Sequence, residues 1–293
     1  MRGPMRGPAP RLDAVAARLR AAGCVYAEDE ARLLLEAAAS PDELAARVAR
    51  RCAGAPLEQL LGWAEFCGLR VRVAPGVFVP RARTALLVSE AVRVVRSLAT
   101  VRDLRVASGG DPRPERHELS DPRPVVVDLC CGTGAVGRAV LAGLAHPGVD
   151  PVELHAADVD PAATACAADN LGDRARVHTG DLLDALPGRL RGRVDVLVAN
   201  APYVPTGRIA AMPPEARDHE PRTALDGGDD GVALHRRIAA AAPDWLARGG
   251  ALLLETGRAQ AGLTAAAVAA VGLRPEVVTD DDLDATVVVG RRP

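Results

Sequence analysis

The residues with the most chemistry in them are Asn200-Ala201-Pro202-Tyr203, directly after the apolar run Val194-Asp195-Val196-Leu197-Val198-Ala199. A buried strand here would bring a carboxamide, a backbone carbonyl, a rigid proline and an aromatic ring to one point at the carboxyl edge of a sheet. That set suits a planar, weakly nucleophilic nitrogen. An amide nitrogen attacks poorly because its lone pair is delocalised into the carbonyl, so alignment with a strong electrophile must make up the difference. The Asn200 side-chain oxygen and the Ala201 carbonyl can each accept one of its N–H bonds. Tyr203 can stack on the amide plane and favour nearby positive charge, and Pro202 stiffens the turn. Methyl transfer from a sulfonium to nitrogen is the reaction this arrangement points to. The plain alternative is a turn that closes a strand and holds no substrate.

A second cluster lies upstream, in Val125-Val126-Val127-Asp128-Leu129-Cys130-Cys131-Gly132-Thr133-Gly134-Ala135-Val136-Gly137. Gly132, Gly134 and Gly137 match G-x-G-x-x-G, a spacing that NAD-binding folds also use. Glycine lets backbone approach a ligand where a Cβ would block it. Cys130, Cys131 and Thr133 complete the loop. Asp128, ahead of the first glycine, suits a ligand with an amino group better than a pyrophosphate. Asp158 follows the next strand, roughly 20 residues on, where a carboxylate grips ribose hydroxyls. Asp160, followed by Pro161, reads instead as a helix N-cap. Asp181 follows a third strand and can accept from an adenine amino group, with Leu182 against the ring; a solvated loop acid or helix cap is the plain alternative.

These residues need a sheet to carry them. From Val125 onward, strands at Val125–Leu129, Val152–Ala157, Ala175–His178 and up to Asn200 alternate with helices from the glycine loop to about Leu144 and over Pro161–Asn170. A helix over Gly231–Ala247, stopped by Gly249-Gly250, precedes a strand Ala251–Glu255, and a helix Gln260–Val271 precedes strands Glu276–Thr279 and Ala285–Gly290. Such alternation builds a parallel, doubly wound sheet. The last two strands are too close for a helical crossover and should pair as an antiparallel hairpin. Ahead of this, Leu12, Val15, Ala16 and Leu19 follow a helical period. A second helix covers Glu28–Ala39, and Ser40, Pro41 and Glu43 form the start of a third. Pro56–Gly62 closes this bundle. A hairpin is expected from Glu65–Val73 and Val77–Val79, turned by Pro75-Gly76, with a helix Thr84–Leu98 leading out of it.

Composition bounds the rest. The 293 residues are 48% hydrophobic and 25% charged, ample for a core, but only 2% aromatic, so Ala, Val and Leu must fill it. Every basic side chain is Arg, and Asn occurs only at 170 and 200. The net charge of -2 and pI near 6.3 argue against a broad nucleic-acid or anionic-membrane surface. No segment approaches the roughly 20 apolar residues of a membrane span, and the start has no signal-peptide core. The six cysteines lack paired C-x-x-C spacing and read as reduced thiols, Cys130-Cys131 as small loop residues. No metal site is expected. His155 and His178, near strands, read as structural; His219 is the one histidine to test.

These motifs resemble the class I S-adenosylmethionine-dependent methyltransferases with an N-P-P-Y signature, and within them the HemK/PrmC family of protein-(glutamine-N5) methyltransferases. The resemblance runs from Leu12 to Gly290. It takes in Pro56–Gly62, Glu65–Leu69, Pro75–Arg81, His219-Glu220-Pro221-Arg222 and Leu225–Gly231. It implies a Rossmann-like α/β fold: a mainly parallel seven-stranded sheet with a C-terminal antiparallel hairpin and a small N-terminal helical domain. It implies S-adenosyl-L-methionine at Asp128, Cys130 to Gly134, Asp158, Asp181, Leu182 and Asn200, and the acceptor at Asn200 to Tyr203, with Asn200 and Tyr203 catalytic. The acceptor it implies is a glutamine of a protein, the Gly-Gly-Gln tip of peptide chain release factors, which would make the protein a cytoplasmic, monomeric component of translation termination. The chain then divides into a disordered lead (1–10), a helical docking domain (11–62), a hairpin linker (63–83) and the transferase domain (84–293) with a flexible loop at 106–124.

Three departures stand out. N-P-P-Y is N-A-P-Y here, which keeps the carbonyl at Ala201. Cys130 replaces the first loop glycine. The family's P-R-P-E-T-E becomes Pro80-Arg81-Ala82-Arg83-Thr84-Ala85, which loses two carboxylates and reverses one charge. Three rival readings follow: an adenine-N6 nucleic-acid methyltransferase, which would need base flipping on duplex DNA; a cofactor-binding module without turnover; and an NAD-dependent oxidoreductase resting on the glycine spacing alone.

Overall fold

A computed structural model describes residues 12–107, 123–145 and 152–293, without the side chains of 99–107. The lead expected at 1–10 lies outside the described residues, as does most of the loop expected at 106–124.

Four helices open the chain: α1 (Leu12–Ala21), α2 (Ala27–Ala37), α3 (Pro41–Cys52) and α4 (Leu57–Leu61). They share a core of their own around Val15, Leu19, Leu34, Leu44, Val48 and Leu60. Leu12, expected on that face, is 37% exposed at the first position of α1, before the helix turns toward its neighbours. α3 starts as its residues predict: Ser40 Oγ accepts from the Glu43 N–H at 3.1 Å, and the Glu43 carboxylate accepts from the Ala39 N–H at 2.7 Å.

The hairpin that follows is not the expected one. β1 (Trp63–Phe66) pairs antiparallel with β2 (Leu69–Arg72), and Phe66 stands opposite Leu69. The turn is therefore Cys67-Gly68, both at positive φ (49° and 73°), the mirror-image turn that matches strand twist. Pro75-Gly76 turns the chain after the hairpin has ended. The helix after it is longer than expected: α5 runs Ala85–Ala107.

The main sheet has the order β5-β4-β3-β6-β7-β9-β8. Its strands are β3 (Val125–Leu129), β4 (Glu153–Asp158), β5 (Ala175–Thr179), β6 (Val194–Ala199), β7 (Leu246–Glu255), β8 (Arg274–Asp280) and β9 (Ala285–Arg291), separated by α6 (Ala135–Gly143), α7 (Pro161–Leu171), α8 (Pro214–His219), α9 (Ala233–Trp245) and α10 (Ala261–Ala270). The first five strands are parallel, and β9 runs antiparallel between β7 and β8. This is the seven-stranded arrangement the resemblance implies. α9 stops at Trp245, not at the glycines: β7 already begins at Leu246, and Gly249 (φ 76°) and Gly250 lie inside it as an irregularity against β6.

Strand alternation assigns the two faces. Val126, Val196, Val198 and Leu253 face α5 and α6, with Leu87, Val94 and Val140. Val127, Leu129, Leu197 and Leu252 face α9, with Ile238 and Trp245. Each such buried Leu or Ile contributes about 1.5–3 kcal/mol, which lets an aromatic-poor core hold the sheet rigid. The rigid sheet sets the carboxyl ends of β3, β4, β5, β6 and β7 along one edge.

Candidate active site

A cavity of about 580 Å³ opens at that edge. Cys130 to Thr133, Asp158, Asp160, Asp181 and Leu182 line one end; Asn200 to Tyr203 and Glu255 line the other. Phe78, Arg81, Arg83 and Thr84 come from the segment before α5, and Met212, Glu215, Ala216 and Glu220 from around α8.

The glycine loop is shaped by backbone geometry. Cys130 (φ 53°) takes the left-handed conformation the departure requires of it, and Gly132 (φ 52°) and Gly134 (φ 73°) take it too. A Cβ on Gly132 would meet no protein atom within 4 Å, so that glycine leaves an open cradle on the cavity. Gly134 does not line it. Its Cβ would lie 3.1 Å from Ala167 and Leu171, so this glycine lets the loop close on α7. Burial, reinforced by nearby Asp158 and Asp128, pushes the Cys130 thiol up, and burial does the same at Cys131. Both stay protonated and suit loop packing, not nucleophilic chemistry.

The acids divide by role. Asp128 does not line the cavity: it is 1% exposed, and its Oδ2 accepts from the Gly137 N–H at 2.8 Å. A Cβ on Gly137 would sit 3.2 Å from that oxygen. Asp128 is therefore a strap between β3 and α6, where direct contact with a ligand amino group was expected. Burial pushes its carboxyl up to about 7, against the Gly137 hydrogen bond and with the help of Asp158. Asp158 lines the cavity while fastening the loop: Oδ2 accepts from Gly132 N–H (2.9 Å) and Oδ1 from Asp160 N–H (3.0 Å). Burial raises its carboxyl as well. Asp160 caps α7, accepting from Ala162 N–H at 2.8 Å. Asp181 lines the cavity with Oδ2 held by Arg237 at 2.6 Å, and Leu182 beside it adopts φ 48°. The open cradle, the carboxylates of Asp158 and Asp181 and the apolar Leu182 suit an adenosyl group, whose hydroxyls and amino group donate and whose ring is apolar.

The acceptor end is built by contacts from far along the chain. Asn200 Nδ2 donates to Thr84 Oγ1 at 3.2 Å, which leaves the Asn200 side-chain oxygen without a donor among the described residues. None of them donates to the Ala201 carbonyl either. Tyr203 donates its hydroxyl to Glu255 Oε1 at 3.2 Å. Burial, then the Glu255 charge, holds the phenol well above its ordinary range. Behind the motif, Gln260 Nε2 donates to the Tyr203 carbonyl at 2.8 Å, and Val204 exchanges backbone bonds with Leu225 (3.0 Å) and Gly227 (2.8 Å). The segment Leu225–Gly231 is thus the buttress of the Asn200–Tyr203 turn. A Cβ on Gly231 would come within 2.4 Å of the Tyr203 carbonyl and 2.1 Å of Gln260 Nε2.

Sequence reasoning missed four residues here. Thr84 and Glu255 hold the two polar groups of the motif. Asn170 clasps Arg72 of β2 in both directions (2.8 and 2.9 Å) and donates to the Thr133 carbonyl at 2.9 Å, tying the hairpin to the glycine loop; its rarity in this composition was the available signal. Glu220 accepts from Arg81 (2.6 Å) and from Val79 N–H (3.3 Å), which fixes the cavity wall before α5. His219 does not line the cavity; it lies against Gly54 of the helical region. His155 and His178 stack on each other at 5.1 Å at the β4–β5 edge. Among the described residues no group of three or more His, Cys, Asp or Glu could hold a metal, and no helix is long and apolar enough to cross a membrane.

Comparison with known proteins places this geometry. No protein-family model matches the chain. The release factor glutamine methyltransferase of Cereibacter sphaeroides is 34% identical over 309 aligned positions, spanning 97% of this chain and 98% of that one. That of Geobacter sulfurreducens is 37% identical over 228, spanning 76% and 69%. The 4-amino-L-phenylalanine/4-methylamino-L-phenylalanine methyltransferase of Streptomyces pristinaespiralis is 36% identical over 213, spanning 73% and 65%. Similar to one such enzyme from end to end and to another over most of its length, the chain belongs to the release factor glutamine methyltransferase family.

Proposed function

We propose that this protein transfers a methyl group from S-adenosyl-L-methionine to the side-chain amide nitrogen of a glutamine in a peptide chain release factor. One observation carries the reading. The Asn200 NH2 group is engaged by Thr84, so its oxygen and the neighbouring Ala201 carbonyl remain as two acceptors beside a ligand cradle. Two acceptors are what the two N–H bonds of a primary amide need. The names of the relatives agree on acceptor chemistry: a glutamine amide and an aryl amine both present nitrogen conjugated to a π system. An adenine amine shares that conjugation, but no relative cited above is named for nucleic acid.

With Gly132, Asp158, Asp181 and Leu182 holding it, S-adenosylmethionine would supply an electrophilic methyl on a sulfonium, the thioether sulfur keeping the C–S electron pair as the C–N bond forms. Asp158 would hold ribose hydroxyls and Asp181 the adenine amino group, with Leu182 on the ring. Asn200 and Ala201 fix both N–H bonds and so set the nitrogen lone pair toward the glycine loop. Tyr203, tethered through its hydroxyl, offers its ring face to the amide plane and excludes water. Once alkylated, the nitrogen is strongly acidic and gives up its proton as the product leaves for solvent, so the site requires no strong base.

The helices α1 to α4 are the proposed docking surface for the protein substrate. Arg51 ties them to the cavity mouth, pairing with Glu30 at 2.6 Å and with Glu215 of α8 at 3.3 Å. We read the protein as a cytoplasmic monomer serving translation termination, with no direct use of nucleic acid or membrane. The test is incubation with labelled cofactor and cognate release factors, followed by mapping of the label by mass spectrometry. Label on a glutamine side chain supports the reading; label only on nucleic acid, or cofactor binding without product, overturns it.

A further inference from the structure

Eight charged side chains line the cavity, and seven of them are already engaged. Asp158 and Asp160 accept from backbone N–H groups, and Asp181 is held by Arg237. Arg81 pairs with Glu220 at 2.6 Å, Glu215 pairs with Arg51 at 3.3 Å, and Glu255 takes the Tyr203 hydroxyl at 3.2 Å. The eighth is Arg83. It is exposed, and its guanidinium has no hydrogen bond or ion pair among the described residues. It stands at the acceptor end, because the next residue is Thr84, whose Oγ1 lies 3.2 Å from Asn200 Nδ2. Its charge is felt there: burial raises the Glu255 carboxyl and the Tyr203 phenol, and Arg83 opposes both rises. Glu255 does not bind it in return, being 2% exposed with its second oxygen buried and unpartnered. Arg83 is thus an uncommitted cation beside the seat of the acceptor amide.

We infer that Arg83 is a specificity-determining residue that takes a carboxylate of the substrate, an acidic side chain close in sequence to the target glutamine. This rests on the reading of a protein glutamine as acceptor and adds to it what flanks that glutamine. A guanidinium offers a planar fork of N–H donors that matches a carboxylate, and it keeps its charge at any working pH. A glutamine inside a protein has no carboxylate of its own: its side chain is an amide, and its main-chain carboxyl is spent in a peptide bond. The partner is therefore a neighbouring Asp or Glu. A free chain end beside the glutamine presents the same chemistry, and the experiment separates the two. The pair forms at the cavity mouth, away from the bonds that change. It holds ground state and transition state alike, so it acts on KM for the protein substrate and leaves kcat.

The test is a library of peptides with a central glutamine, randomised flanks and blocked ends, equilibrated with the enzyme and S-adenosylhomocysteine. Bound peptides are sequenced by mass spectrometry. The wild type should enrich Asp or Glu over Asn or Gln at one flanking position by about threefold to tenfold, less at high salt. Arg83→Ala should lose the preference, and Arg83→Glu should replace it with Lys or Arg. Calorimetric affinity for S-adenosylmethionine, equal in all three proteins, checks that the fold is kept. In the release factor itself, neutralising the acid at that position and Arg83→Ala should each raise KM, and the two together should raise it no further than either alone. A wild type that methylates release factor yet shows no acidic preference, or a preference that survives Arg83→Glu, overturns the inference. Enrichment confined to a library with free carboxyl ends overturns the side-chain assignment. A preference that follows Arg83 in an enzyme that never labels glutamine overturns the substrate reading alone.

Discussion

The two ends of the cavity are made differently. The ligand cradle is local: thirteen residues from Val125 to Gly137 make strand, loop and helix start, and the shape comes from left-handed φ angles and from backbone N–H groups accepted by Asp128 and Asp158. The acceptor end is assembled from afar: four residues of turn are held by Thr84, by Glu255, by Gln260 and by the Leu225–Gly231 segment. A site built of backbone tolerates side-chain substitution as long as φ is kept, which is how Cys130 can stand where the family has glycine. At the acceptor end the property used at position 201 is a backbone carbonyl, which alanine keeps as proline would.

The contrast predicts where damage goes. Asn200→Ala should lower kcat by on the order of 10²–10³, the scale seen when a positioned polar group is removed from a transition state, with calorimetric affinity for the cofactor kept. Wild-type turnover in that variant would falsify the acceptor role. Gly231→Ala strikes the buttress: its Cβ has no room against Gln260 and the Tyr203 carbonyl, at a φ of 77°. A loss of about 1–3 kcal/mol in denaturant unfolding is expected from this overpacking, together with raised KM for the protein substrate. An unchanged unfolding midpoint would show that the buttress is slack.

The same contrast explains what could be read from residue order. The cradle was legible because glycine spacing and strand-end acids are local signals; the sheet, its order of helices and its closing hairpin were legible because hydrophobic period is local too. The Cys67-Gly68 turn was missed because cysteine is unusual at positive φ, and Pro75-Gly76 carried a stronger turn signature. Asp128 was placed in the cavity because residue order does not say which face of β3 a side chain takes at the strand end. The face it takes is that of Val126, toward α6. Thr84 and Glu255 lie 116 residues before and 52 residues after the groups they hold, and no local pattern announces such pairing.

Two smaller effects sharpen the picture at the cradle. Asp158→Asn keeps one acceptor but loses the charge that strengthens the hydrogen bond from Gly132 and those proposed above from ribose hydroxyls. A roughly tenfold weaker cofactor affinity by calorimetry is expected, appearing mainly in KM for the cofactor. An affinity equal to wild type would mean that Asp158 serves the loop and not the ligand.

Asp128→Asn tests whether the strap works by hydrogen bonding or by charge. Asparagine retains an oxygen for the Gly137 N–H, so the strap survives, but the titration disappears. In the native chain the carboxyl is raised from 3.8 to about 7, with burial the first cause. Between those two values the unfolded chain has released this proton and the folded chain still holds it. Stability therefore falls as pH rises through that window and is level above it. Asp128→Asn removes that decline. Thermal midpoints of the two proteins measured from pH 4 to pH 8 cancel the contribution of groups common to both, so their difference reads Asp128 alone. The expected difference moves in favour of the variant as pH rises and stops changing above about 7. A difference that is flat with pH would mean that Asp128 is already ionised in the fold and holds α6 by its charge.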